Sequence, residues 1–148
     1  MIISFFGHSS FHGTNKYEKI MLEVLEEKSR GEQVDFYLGN YGMFDSFAYT
    51  CAKKFKERHQ DARLVFITPY INEKNILNMR PLYDEIVYPA LERVPPKFAI
   101  VERNRWTVRS SDLIIFSITH SFGGAYKAYL YAEKLGKATV NIAVLENN

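Results

Sequence analysis

Three short stretches of this sequence combine glycine with side chains that hydrogen-bond. They read Phe6-Gly7-His8-Ser9-Ser10-Phe11-His12-Gly13, then Leu38-Gly39-Asn40-Tyr41-Gly42-Met43-Phe44-Asp45-Ser46, and last Thr119-His120-Ser121-Phe122-Gly123-Gly124. Each follows an apolar run and leads towards a helical pattern. Glycine lets backbone N–H groups approach an anion with no Cβ in the way, and a helix N-terminus adds the positive end of its dipole. One such turn is ordinary between a strand and a helix. Three in one chain point to a shared rim for a phosphate-bearing ligand.

Asp45 gives the second loop a different polarity. A carboxylate in a first helical turn commonly caps the helix. It also repels phosphate and accepts hydrogen bonds from ribose hydroxyls, as the acidic residue of dinucleotide sites does. Gly39, Asn40, Gly42, Phe44, Asp45 and Ser46 are therefore assigned to the sugar end. Gly123 and Gly124 are assigned to phosphate, since the helical turn after them carries no acid until Glu133, and Ser121 of the same loop is a further ligand-binding candidate. Gly7 and His8 join them from the first loop, and Tyr126, or a tyrosine of a later segment, is placed to stack on a base. The cation comes from the stretch Lys97 to Ser111, whose pattern sets Ile100, Val101, Asn104, Arg105 and Val108 on one inward face. Hydrogen-bonding side chains inside an apolar stripe are costly unless they find partners. Arg105 aimed at the sheet edge binds phosphate bidentately; its alternative is a salt bridge across the protein to Asp112.

Other chemistry has little support. His8, His12, His59 and His120 share no metal-ligand spacing, so neither a metal site nor a cofactor is expected. The sequence has no glycine-flanked nucleophile elbow and no suggestion of paired carboxylates. The single cysteine, Cys51, excludes an internal disulfide and lies in an apolar helical stripe, as a core thiol does.

The elements that must position these loops are legible as runs. Ile2 to Phe6, Val34 to Leu38, Arg63 to Ile67, Leu113 to Ile118 and Ala138 to Leu145 are short and rich in Ile, Val and Phe. They are apolar throughout rather than alternating, as strands of a parallel sheet covered on both faces are. Between them, Tyr17, Ile20, Met21, Val24, Leu25 and Lys28 recur at helical spacing, with Asn15 and Glu18 resembling a capping box and Gly31 a stop. Phe44, Phe47, Ala48, Cys51, Ala52 and Phe55 make a second stripe, and Ala125, Ala128, Tyr129 and Ala132 a third that ends near Gly136. The expected fold is a Rossmann-like, three-layer α/β arrangement: an open, mainly parallel, five-stranded sheet with helices on both faces. The segment Thr68 to Lys97 holds five prolines and reads as a long crossover with a small strand or turn of helix at Ile86-Val87. Its Tyr70, Tyr83 and Tyr88 either cover a ligand or pin the segment to the body.

Composition sets the outer bounds. The 148 residues suit one domain, 1–148, and with 47% hydrophobic and 15% aromatic residues a disordered chain is excluded. The formal charge of +2 is close to neutral, and basic residues sit beside acidic ones without a dense stripe. On that ground nucleic acid is not the expected partner. The start, Met1 to Phe6, is too short for a signal-peptide core, and no stretch approaches the roughly 20 apolar residues of a membrane span, so a cytoplasmic place is expected. Tyr129 and Tyr131 on one helix hint at a homodimer face.

Taken in order, four groups of residues resemble the SLOG superfamily, in its small bacterial or phage branch, over almost the whole chain. They are Phe6-Gly7-His8; Leu38-Gly39-Asn40-Tyr41-Gly42 with Phe44-Asp45-Ser46-Phe47-Ala48; Arg103-Asn104-Arg105-Trp106-Thr107-Val108 with Ser111-Asp112; and Gly123-Gly124-Ala125-Tyr126-Lys127-Ala128. The superfamily joins LONELY GUY type phosphoribohydrolases, DNA-processing Rossmann proteins and small nucleotide-binding domains. The resemblance implies a Rossmann-like fold that binds nucleotides or ADP-ribose-like signals, often as a dimer. Hydrolase members follow a proline-glycine-glycine loop with glycine, threonine and paired glutamates. Here Ala125, Tyr126, Lys127 and Ala128 follow Gly124, so the catalytic acid's position holds Lys127 or Ala128, and Ser9 stands where related chains tend to carry arginine. The leading expectation is a module that senses or sequesters a nucleotide-derived ligand. Its alternatives are an N-glycosidase using Asp45 or Glu102, and a DNA-associated accessory module.

Overall fold

The computed structural model describes residues 1–145. Along the chain run β1 (Ile2–Gly7), α1 (Asn15–Ser29), β2 (Asp35–Leu38), α2 (Met43–Arg58), β3 (Arg63–Ile67), α3 (Glu73–Met79), β4 (Glu85–Val87), α4 (Ala99–Ser110), β5 (Leu113–Ser117), α5 (Gly124–Lys134), β6 (Ala138–Asn141) and α6 (Ile142–Leu145). The strands form one sheet in the order β4-β3-β2-β1-β5-β6, with every neighbouring pair parallel.

The apolar runs follow from burial of both faces. Ile3 and Phe5 share a core with Met21, Val24 and Leu25 of α1 and with Phe44, Ala48 and Cys51 of α2. On the other face Ile114 and Phe116 pack with Val108 of α4 and with Ala128 and Ala132 of α5. Small residues on α5 let that helix lie close to the strands. From β1 the chain steps outward through β2 and β3 to β4. It then returns along α4, and β5 pairs with the opposite side of β1. The order therefore reverses beside β1, the topological switch point at which open α/β sheets hold ligands beyond their carboxyl ends.

Several expectations about elements need correction. The sheet has six strands rather than five: Glu85–Val87 extends it, with Val65 opposite Glu85 and Ile67 opposite Val87. The small strand expected at Ile86-Val87 is thus present as β4, and the rest of 68–97 holds more structure than a crossover loop. It carries α3, whose N-cap Asn72 accepts from the Asn75 amide at 3.2 Å, and short 3₁₀ turns at Arg80–Leu82 and Pro96–Phe98. Tyr83 pins it to the body, while Tyr70 ties the segment to itself. Tyr83 lies 5.2 Å from both Phe66 and Tyr49, and the Tyr70 hydroxyl donates to the Pro96 carbonyl. The final run is divided into β6 and α6. The cap of α1 is Thr14, one residue before Asn15, with its hydroxyl accepting from the Tyr17 amide at 3.2 Å. Tyr129 and Tyr131 are both half-buried: Tyr129 meets Phe116 edge-on and Tyr131 accepts a hydrogen bond from Arg109.

No helix among the described residues is long and apolar enough to cross a membrane. Cys51 is fully buried, and burial pushes its thiol up to about 12. A thiol needs ionisation and access to react. The native protein is therefore expected to resist a disulfide reagent under mildly alkaline conditions, whereas the urea-unfolded chain reacts at once; rapid native labelling would contradict this packing.

Candidate functional site

A cavity of about 130 Å³ opens at the carboxyl ends of β1 and β2, beneath α4 and beside the start of α5. The glycines at its edge exist for close approach. A Cβ on Gly7 would stand 2.7 Å from Phe44 Cβ and closer still to the ring, so β1 and α2 could not meet as they do. A Cβ on Gly42 would lie 3.3 Å from Ser9 Cα, where the first and second loops touch. A Cβ on Gly39 would sit 3.2 Å from Asp45 Oδ2 and 3.3 Å from Arg103 Nη1, in the space between the two charges.

Arg103, on α4, is the inward guanidinium. It is 6% exposed; Nη1 donates to the Ile67 carbonyl at 2.9 Å and Nε to Asn104 Oδ1 at 2.9 Å. Its guanidinium carbon lies 5.0 Å from the centre of the Tyr41 ring, a cation–π arrangement. The face that carries Arg103 is polar, yet each hydroxyl on it is satisfied. Thr107 donates to the Arg103 carbonyl, Ser111 to the Thr107 carbonyl, and Ser111 meets Ser4 of β1 at 2.7 Å. Buried polar side chains satisfied in this way fix a helix in one orientation.

Asp45 is the opposing charge. It lies in the first turn of α2, where it accepts the Tyr41 amide at 2.8 Å and so ties the preceding loop to the helix, rather than capping it. Burial pushes its carboxyl above the usual value of 3.8, and the Tyr41 N–H and the Arg103 charge offset only part of that push. A carboxylate whose folded-state value exceeds its unfolded one binds its proton more tightly when folded. Its contribution to stability is then lost as pH rises through that window. Asp45→Asn keeps an oxygen for the Tyr41 amide and removes the buried negative charge. The variant is expected to melt higher at neutral pH and to lose the decline in Tm above pH 3.8; a lower Tm at neutral pH would contradict it.

The cavity gathers Gly7, Gly39, Gly42, Phe44, Asp45 and Gly124 from the residues read in sequence. It leaves the others outside. His8 stacks on His120 at 3.5 Å, and its Nε2 accepts the Thr119 amide. Asn40 is exposed and turned to Met79, and the exposed Ser46 points its hydroxyl back to the Gly42 carbonyl. Ser121 and Gly123 are exposed, with Gly123 at φ 93° as the N-cap of α5, and Tyr126 pairs with Tyr129. Arg105 is not the inward cation. Its side chain is 53% exposed, lies 3.7 Å from Glu102 and covers the Tyr131 ring. The salt bridge considered for it, to Asp112, is not formed either: Asp112 accepts the Ile2 amide. Sequence reasoning missed Tyr37, Tyr41, Arg103 and Thr107. The available signal was the run Ala99, Arg103, Thr107 and Ser111, spaced by four, which marks a small and polar inward face.

Comparison with solved structures gives a shared fold. DNA processing protein A from Streptococcus pneumoniae superposes with a TM-score of 0.64 at 14% identity, over 93% of this chain and 48% of that one. DNA processing protein A from Helicobacter pylori, in a structure described for its single-stranded DNA binding mode, gives 0.64 at 16% identity, over 94% of this chain and 63% of that one. This chain thus spans about half of one neighbour and under two thirds of the other. No protein-family model matches the sequence, and no curated protein matches it. At these identities the likeness shows a shared fold and nothing finer. It also corrects one expectation. Near-neutral charge argued against nucleic acid as a partner, but the structural neighbours are DNA-processing proteins, one of them described by its binding of single-stranded DNA.

Proposed function

We propose that this chain is a DNA-associated module that binds single-stranded DNA, with one nucleotide entering the cavity between Gly39, Asp45 and Arg103. The observation that carries it is the buried Arg103 guanidinium held at the glycine-lined carboxyl edge of the sheet, beside the switch point. Single-strand sites combine cations for the backbone with rings on which bases stack. Tyr41 supplies such a ring at the cavity mouth, 44% exposed and already against Arg103. The shared fold of the DNA processing proteins supports the same reading by analogy. The first turn of α5 carries no acid, so cleavage of an N-glycosidic bond is not part of the proposal. We place the protein in the cytoplasm, where an unpaired cysteine is at home.

Asp45 favours a second reading. Its carboxylate accepts hydrogen bonds, and a ribonucleotide such as ADP-ribose offers a 2′-hydroxyl donor that DNA lacks. The experiment is a titration with a labelled oligothymidylate, followed by anisotropy and by emission of the single tryptophan, Trp106. That ring stacks on the cavity residue Tyr37 at 5.9 Å and so reports entry of a ligand. Saturable binding that weakens with salt and changes Trp106 emission is expected. No oligonucleotide binding together with saturable ADP-ribose binding would transfer the function to the second reading.

A further inference from the structure

The cavity has a neighbour. Between α4 and α5 lies a larger groove of about 320 Å³, lined by Val101, Arg105, Lys127, Leu130, Tyr131 and Lys134 among others. Asn104 and Gly124 line both, so the groove continues directly from the cavity. Its charge is one-sided: among the described residues three cations line it and no carboxylate does. Lys127 and Lys134 are seven residues apart and therefore share a face of α5, separated by roughly 10 Å along the helix. The ring between them, Tyr131, has the Arg105 guanidinium 5.5 Å from its centre and accepts a hydrogen bond from Arg109. Arg105 has Glu102 as a neighbour, whereas no ion pair involves Lys127 or Lys134 among the described residues.

We infer that this groove carries the phosphodiester backbone of the strand whose nucleotide occupies the cavity, with Lys127, Lys134 and Arg105 facing successive phosphates. The inference rests on the single-strand reading above and adds a direction to it: the strand leaves the sheet edge past Gly124 and runs along α5. A phosphate track also explains why three cations line the groove without a carboxylate, whereas in the cavity Asp45 offsets Arg103. Near-neutral net charge hides such a track, since other acidic residues gather elsewhere; Glu18, Glu23, Glu26 and Glu57 line a separate depression between α1 and α2, beside Lys19, Lys54 and Arg58.

The test compares the wild type with Lys127→Ala/Lys134→Ala, using thymidine 5′-monophosphate and an oligothymidylate across a salt series. Both lysines are exposed, so the fold is expected to persist, and thermal melting checks it. Each lost phosphate contact on a single strand lowers the slope of log affinity against log salt by about 0.7. The double variant is expected to lose roughly twice that slope on the oligomer, while its affinity for the mononucleotide stays at the wild-type value. An unchanged slope, with oligomer binding still sensitive to Arg103→Met, would overturn the groove and leave the cavity standing. Oligomer binding insensitive to Arg103→Met, or no binding by the wild type, would overturn both.

Discussion

Arg103→Met is expected to lower affinity for thymidine 5′-monophosphate by about 10- to 100-fold, the loss that follows from removing a charged hydrogen bond of about 1.5–3 kcal/mol. The guanidinium is the cation within the cavity lining, and Gly39 lies against it, with no room for a Cβ between Arg103 and Asp45. Methionine retains much of the packing volume, which separates the electrostatic effect from a cavity effect. The substitution also leaves the Ile67 carbonyl without its donor and Asp45 without its nearest cation, so a stability loss of about 1–3 kcal/mol accompanies it. Arg103→Lys should not rescue binding, because a lysine cannot span the positions that Nη1 and Nε occupy between Ile67 and Asn104. Arg105→Met is the informative control: that side chain lies outside the cavity, and mononucleotide affinity should not change. The readout is calorimetry, with melting curves for each variant.

Gly7→Ala is expected to cost about 3 kcal/mol, the upper part of the range for overpacking a closely packed core. The new methyl would collide with the side chain of Phe44, a fully buried residue that cannot swing aside. For a chain of this size that loss corresponds to a fall in Tm of about 10 °C. The double variant Gly7→Ala/Phe44→Ala identifies the cause. Phe44→Ala alone costs about 3–5 kcal/mol, and where the methyl occupies the vacated space the double loss is smaller than the two single losses together. Additive losses would show that the cost of the Gly7 substitution arises elsewhere. Chemical denaturation of the four proteins gives the cycle.

The parts of this molecule that were legible in the sequence are those set by hydrophobic period and by glycine. Continuous apolar runs marked the central strands because both faces of the sheet are covered. The strand at Glu85–Val87 was too short for any period, and its place is fixed by pairing with β3 rather than by its own side chains. The loops after β1, β2 and β5 were found, and residues from all three meet in one cavity, because the chain reverses order beside β1. Arg103 was missed for a physical reason. Ile100 and Val101 drew the stripe of α4 towards themselves, yet they are 39% and 42% exposed, while the buried positions hold Ala99, Arg103, Thr107 and Val108. Hydropathy cannot locate a buried face built from hydroxyls and a guanidinium that satisfy one another. Net charge misled in a similar way, since a local row of cations on α5 disappears in a balanced total.

The most direct measurement is an amide chemical-shift map of the isotope-labelled protein titrated with an oligothymidylate. Shifts centred on Gly7, Gly39, Tyr41, Gly42 and Gly124, with the Trp106 indole following through Tyr37, are the expected result. Shifts confined to the amino-terminal edge of the sheet or to the α1–α2 face would contradict a nucleotide site at Arg103.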